Sequence, residues 1–288
     1  VKPQPVSPLR RRLRQFASGP RRLLATAIAL LCGLPDNSAL AALPGLQLDR
    51  PLRQGELVSG RSAHLLEVDG RLLRRGPNGE VAFGLGRDQR AVELCVDDGQ
   101  GNRQCERRPV EARSWRTENV SGLPPKTVDP DPETAARIAR EAQRVAQART
   151  RNDARIDFLG PWQAPARGRI SGVYGSQRIR NGVPGSPHYG HDIAAPTGTP
   201  VLAAATGVVS LVGVDMVLPG NTVLIDHGHG VSSVYIHLSR IDVAEGQRVQ
   251  AGDVIGAIGA TGRASGPHLH WGLNWFDIKL DPAPLLGD

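Results

Sequence analysis

Lysine is almost missing from this 288-residue chain, with none between Lys126 and Lys279. Aromatic residues make up only 4% and there are three cysteines. Long apolar runs are scarce too. The one that stands out, Leu23 to Leu34, is about 12 residues, well short of the roughly 20 that a permanent bilayer-spanning helix needs. Each shortage excludes something. Val243 to Gly256 has the pattern of the hairpin that carries biotin or lipoate, but such a carrier attaches its cofactor to a lysine at the hairpin tip. With no lysine there, carrier function is excluded, although the hairpin geometry can be shared. The poverty in aromatics, set against 34 Gly, 23 Pro and 40% hydrophobic residues, favours a turn-rich β protein over a helical one. The length allows one large domain or two modest ones, with ample core for either.

Charge of one sign is concentrated rather than spread. The net charge is +7, but residues 1–41 carry Lys2, Arg10, Arg11, Arg12, Arg14, Arg21 and Arg22 against Asp36 alone. The remainder is nearly balanced, so the basicity is no evidence for a phosphate-binding surface, and no nucleic-acid partner is expected. Those 41 residues have the order of a secretory signal: a basic segment, the apolar run, then Ala39-Leu40-Ala41 as an A-x-A cleavage site. Leu31 before Cys32 is too bulky for a lipoprotein site, and the flanks of Arg21-Arg22 fit a twin-arginine signal poorly. The expectation is export to a periplasm or cell surface, with a membrane attachment only if the leader stays uncleaved.

Removal of the leader leaves Cys95 and Cys105. The Asp97-Asp98-Gly99-Gln100-Gly101-Asn102 insert is full of turn formers, so the pair should face each other across a hairpin. In an oxidising compartment they would close, stabilising by roughly 2–3 kcal/mol. The C-x9-C spacing does not suit a zinc ribbon.

Along the chain, residues 42–120 alternate short apolar runs with Gly-rich turns, the pattern of a small β-sandwich. His64 stands alone there and reads as an ordinary strand residue. Residues 121–160 form a linker, rich in Gly and Pro at Gly122 to Pro130, with a helix over 131–152. Asp131 is its N-cap, Pro132 its first residue, and Ala135, Ile138, Ala142, Val145 and Ala146 form a narrow apolar stripe that should dock closely. Residues 161–288 return to strands without a long helical period. The fold class expected is mainly β: an N-terminal sandwich, a connecting helix and a C-terminal antiparallel sheet.

Three clusters in that last part carry chemistry: His188-Tyr189-Gly190-His191-Asp192, Val234-Tyr235-Ile236-His237-Leu238 and Gly266-Pro267-His268-Leu269-His270-Trp271. A hydrolytic zinc centre has three protein ligands and an open position for water. His188 and Asp192, four apart in a Gly-rich loop that turns at Gly190, can converge on one ion with His270. On a strand, His268 and His270 share a face, so one can bind metal while the other stands beside the bound water. Zinc lowers the pKa of water to about 7. A neighbouring imidazole can take its proton and another can stabilise the oxyanion, roles that fit His268 and His237.

With their flanking Gly/Pro turns, these motifs make residues 165–286 resemble the lysostaphin-like, LytM-type zinc metallopeptidases that cut peptide cross-links in bacterial cell walls. The resemblance implies zinc ligation by His188, Asp192 and His270 and catalysis by His237 and His268. It also implies peptidoglycan peptides as substrate and leaves room for a regulatory protein partner. Trp271-Gly272-Leu273 departs from the family, whose members tend to have an aromatic and an acidic residue there. Non-catalytic relatives activate cell-wall amidases but typically lack ligands or catalytic histidines, all of which are present here; a zinc peptidase acting on other proteins is a further alternative. His191 is expected to face solvent, and His227 and His229 to be ordinary residues of a hairpin turn. Tyr174 and Tyr235 could line the groove or pack in the core. The sandwich is expected to shield or position the groove.

Overall fold

Period-two alternation of apolar residues dictates strands with one face buried, and strands dominate the structure. It is a computed structural model that describes residues 43–120, 130–180 and 183–287. The leader and linker residues 121–129 lie outside the described residues. Residues 42–288 cluster as one compact unit.

The N-terminal part is two antiparallel sheets. One contains Leu46–Leu48, Leu57–Ser62 and Glu80–Gly84; the other contains Arg71–Leu72, Leu65–Val68, Ala91–Asp97 and Arg103–Pro109. Cys95 and Cys105 are directly opposed in the last pair and are disulfide-bonded. The sandwich core does not end at its own border. Val58, Phe83 and Leu94 share one apolar cluster with Val231, Leu273, Trp275 and Leu280 of the C-terminal sheet. Phe158, from the end of the linker, is buried in the same cluster, and Arg155 beside it is hydrogen-bonded to Asp226.

The C-terminal sheet runs, in spatial order, Arg169–Gly172, His191–Ala194, His268–Trp275, Val231–Ile241, Gly220–Asp226 and Gly207–Met216. All of these neighbours are antiparallel. Ile193, Leu269, Trp271, Tyr235 and Val223 project from one face into a common core. The residues between them project from the other face, where the helix lies.

That helix, Pro132–Ala148, begins as the sequence predicts, with the Asp131 carboxylate accepting from the Thr134 N–H at 2.8 Å. It stops at Ala148 instead of continuing to 152. The Thr150 hydroxyl bonds back to the Gln147 carbonyl, the local competition that makes Thr a poor helix interior residue. Its apolar stripe is not closely docked: none of its residues is fully buried. Val145 and Ala148 touch Leu211, Leu224 and Val234, and a groove remains beneath the rest.

His227 and His229 do lie in the hairpin turn between Gly220–Asp226 and Val231–Ile241, but they are buried there, 0% and 2% exposed. Gly228 and Gly230, both at positive φ, fold the turn inward against residues 153–158. His227 ends a buried chain of hydrogen bonds whose polarity is fixed at both ends. The Ala204 N–H donates to the Tyr235 oxygen, and the Thr206 carbonyl can only accept from His227 Nδ1. Tyr235 must therefore donate to Ser233, and Ser233 to His227 Nε2. Tyr235 is thus a core residue. A protonated His227 would put a second donor against Ser233, and burial pushes its pKa down to about 4. Below the ordinary value of 6.5 the unfolded chain takes up a proton that the folded chain refuses. The contribution is therefore absent above pH 6.5 and costs roughly 3 kcal/mol as pH falls to 4. Urea unfolding at pH 7 and pH 4.5 should show His227→Asn less stable at pH 7 yet losing less stability on acidification than the parent.

Candidate metal centre

Strand register brings the chemistry together. In the pairing of His191–Ala194 with His268–Trp275, Asp192 lies directly opposite His270 and Ala194 opposite His268. Alternation sends Asp192, His268 and His270 to the helix-side face, while Ile193 and Leu269 enter the core. His188 reaches the same point from the preceding loop, where its N–H donates to the Ser176 carbonyl.

The three expected ligands converge. His188 Nε2 is 2.9 Å from Asp192 Oδ1 and 2.9 Å from His270 Nδ1, and His270 Nδ1 is 2.8 Å from Asp192 Oδ1. The His188 ring places Nδ1 3.2 Å from the Val173 carbonyl, which can only accept, so its Nε2 presents a lone pair to the other two atoms. Three electron-rich atoms thus meet at one place, an arrangement that protons alone satisfy only by charging a histidine. This donor set fits a divalent cation. Burial disfavours ionisation of Asp192, but the His188 and His270 rings beside it outweigh burial and hold the carboxyl well below the usual carboxylate range. His188 and Asp192 are buried, 3% and 8% exposed.

Two glycines make room for this convergence. A Cβ on Gly190 would lie 2.6 Å from His270 Nε2 and 2.6 Å from the Trp271 carbonyl oxygen. A Cβ on Gly172 would lie 2.7 Å from Asp192 Oδ2. The sequence suggests that Gly190 turns the backbone. The structure gives it a steric role, since it is absent from the glycines at positive φ.

His237 reaches the site through an irregularity. Regular alternation from Tyr235, which faces the core, would point His237 into the core as well. The register with Gly220–Asp226 shifts between Tyr235 and Leu238, and His237 adopts φ 67°. This bulge turns its ring toward His268, 4.8 Å away between ring centroids. Both rings are anchored alike: His237 Nδ1 lies 2.8 Å from the Thr261 carbonyl, and His268 Nδ1 lies 2.8 Å from the Gly266 carbonyl. Each must donate there, leaving Nε2 as an acceptor in the neutral ring. His268 Nε2 is 3.9 Å from Asp192 Oδ1. Burial, reinforced by the neighbouring His268 and His270, pushes His237 down to about 3.

The remaining candidates separate from the centre. His191 does not face solvent. It contacts Asp281 at 3.1 Å, and Asp281 in turn accepts from Arg113 at 2.6 Å, because Asp281 needs two partners to be buried as an anion. Tyr174 is buried and donates to the Lys279 carbonyl. The carbonyls that orient the imidazoles and the two steric glycines were missed from the sequence. Backbone acceptors carry no residue signature, and only the density of glycine around the motifs hinted at the close approaches.

Residues 186–282 match the profile of Peptidase family M23. The DD-carboxypeptidase/endopeptidase Mpg of Neisseria meningitidis is 51% identical over 84 residues, 29% of this chain and 19% of that protein. The peptidoglycan DD-endopeptidase ShyA of Vibrio cholerae is 47% identical over 88 residues, 31% of this chain and 20% of that protein. The matched part therefore spans about a fifth of the length of these relatives. A crystal structure described as a "putative peptidase M23" from Pseudomonas aeruginosa is similar over much more of the chain. It is 29% identical with a TM-score of 0.65, covering 83% of this chain and 96% of that one.

Because Gly190 is packed against His270, Gly190→Ala should displace that ring without unfolding the sheet. Zinc affinity, measured by competition with a chromophoric chelator, is expected to fall about ten- to a hundredfold, the usual effect of disturbing a ligand's supporting contacts. An unchanged affinity would remove the steric role given to this glycine.

Proposed function

For a chain that carries a peptidase family M23 domain, we propose the function of an exported zinc metalloendopeptidase that hydrolyses peptide stems or cross-links of peptidoglycan. The observation that carries this reading is the convergence of His188 Nε2, Asp192 Oδ1 and His270 Nδ1 within 2.8–2.9 Å of one another, with two more backbone-anchored histidines beside them. The DD-endopeptidase names of the similar proteins support the substrate class. The leader supports action in the bacterial envelope.

His188, Asp192 and His270 would hold zinc, two neutral nitrogens and one anionic oxygen being a donor set typical of hydrolytic sites. Bound there, zinc supplies a Lewis acid that acidifies water and polarises a carbonyl. The chain's own residues do the rest. His268 and His237 keep their N–H groups on the Gly266 and Thr261 carbonyls, so each offers a bare Nε2 toward the site. That nitrogen can accept a proton from the attacking water, and only after doing so can it donate to an oxyanion or to the leaving amine. The depressed pKa of His237 keeps it neutral, and hence an acceptor, throughout the neutral range. His268 Nε2, 3.9 Å from Asp192 Oδ1 and less buried than His237, is the nitrogen placed to take that proton.

The N-terminal sheets serve to position the site in this reading. Arg113 holds Asp281, Asp281 holds His191, and His191 adjoins the ligand Asp192. A regulatory partner and the choice between carboxypeptidase and endopeptidase action belong to the same proposal.

Digestion of purified cross-linked peptidoglycan peptides by the full chain tests it, with products identified by mass spectrometry. Cleavage should be abolished by a chelator and restored by zinc, and His268→Ala should lower the rate about a hundred- to ten-thousandfold. No cleavage with zinc present, or a rate indifferent to His268→Ala, contradicts the reading.

A further inference from the structure

On the face that carries the ligands, a groove of about 370 Å³ separates the Pro132–Ala148 helix from the sheet, and His270 forms part of its wall. Most of the wall is apolar, yet three side chains bring hydrogen-bond donors to it. Arg149, the residue that caps the helix, has its Nε buried without a hydrogen-bond partner. Asn274, 3% exposed, has its Nδ2 buried and unpartnered as well. Lys279 pairs with Asn274 across adjacent strands, and its ammonium lies 4.3 Å from the Tyr189 ring centroid. Among the described residues neither Arg149 nor Lys279 makes an ion pair.

The carboxylate in the wall does not compensate them. Glu141 accepts from Arg137 at 2.8 Å through Oε1 and from the Val217 N–H at 2.8 Å through Oε2. Two like charges are therefore left at one cavity. Burial, with the charge of Arg149 adding to it, lowers the pKa of Lys279, and burial pushes Arg149 to about 10. Unpaired buried donors and cations are costly, and native structures retain them where a ligand completes the set. A planar guanidinium, an ammonium and an amide N–H together complement the two oxygens of a carboxylate.

We propose that this groove is a carboxylate-binding subsite for the peptide substrate, in which Arg149, Lys279 and Asn274 receive an anionic group next to the scissile bond held at His270. The proposal rests on the peptidase reading for its ligand. The carboxylate is either the peptide's own C-terminus or an acidic side chain, and the first source would favour removal of terminal residues while the second would favour internal cleavage. Arg149, Lys279 and Asn274 are specificity residues, set apart from the proton-transferring histidines.

Matched synthetic peptides test it, with carboxamide replacing carboxylate at the C-terminus in one pair and at the acidic side chain in another. The zinc-loaded full chain gives kcat and KM, and the His268→Ala chain gives Kd by calorimetry without turnover. One carboxylate should be preferred about ten- to a hundredfold, in KM and Kd rather than kcat. The preference should weaken with salt, fall to near one in Arg149→Met and Lys279→Met, and survive in part in Arg149→Lys. Equal handling of carboxylate and amide in both pairs by the parent chain overturns the subsite, whether or not the variants fold. Cleavage without any carboxylate preference removes the subsite and leaves the peptidase reading intact. Carboxylate-selective binding without cleavage does the reverse. Neither binding nor cleavage removes both.

Discussion

The antiparallel pairing that sets Asp192 opposite His270 is the constraint on which the rest depends. A slip of one residue would send both side chains into the apolar core and bring Ile193 and Leu269 out. The register is fixed from the core side: Leu269, Trp271, Tyr235 and Ile193 fill one cluster and cannot exchange faces with polar residues cheaply. Around this pair everything else is accommodation. Gly190 and Gly172 leave space, the loop delivers His188, and backbone carbonyls choose the tautomer of three imidazoles. Lone pairs brought this close repel one another unless a cation or a proton lies between them, so the apolar core of the sheet holds together a polar cluster that would otherwise spread apart.

Much of this was legible in the sequence because it is written in local patterns. Alternation announces strands, H-x-H places two imidazoles on one face, and the Asp131-Pro132 start locates the helix. His237 is the instructive exception. Alternation alone would place it in the core with Tyr235, and only a bulge with a left-handed backbone at a non-glycine residue turns it toward His268. Bulges depend on how two strands are paired, and that information lies in neither strand. The same holds for His191, His227 and His229. The partners of His191 (Asp281) and of His227 (Thr206 and Ser233), and the burial of His229 against Phe158, are either distant in sequence or uninformative by type, so a histidine in a Gly-rich stretch shows nothing of its burial until the fold closes over it.

The helix stripe misled for a different reason. Small apolar residues at helical spacing show which side faces the protein but not how closely it approaches. Contact at Val145 and Ala148 holds the C-terminal end of the helix on the sheet, and the space left beneath Ile138 and Ala142 becomes a groove beside the candidate metal ligand His270. The N-terminal sheets, through their shared core with Trp275 and Leu280 and through Arg113, brace the same sheet from its other end. The groove and its supports thus come from segments that sequence alone reads as a linker and a separate domain.

Metal ligation by two imidazoles and one carboxylate, with His237 and His268 beside the metal but not bound to it, is the central claim. X-ray absorption on the zinc-loaded full chain measures it most directly. One zinc per chain is predicted, with two imidazole nitrogens and carboxylate oxygen at about 2.0–2.2 Å, and with the spectrum unchanged by His237→Ala. A stoichiometry well below one, or loss of an imidazole ligand in His237→Ala, would contradict it.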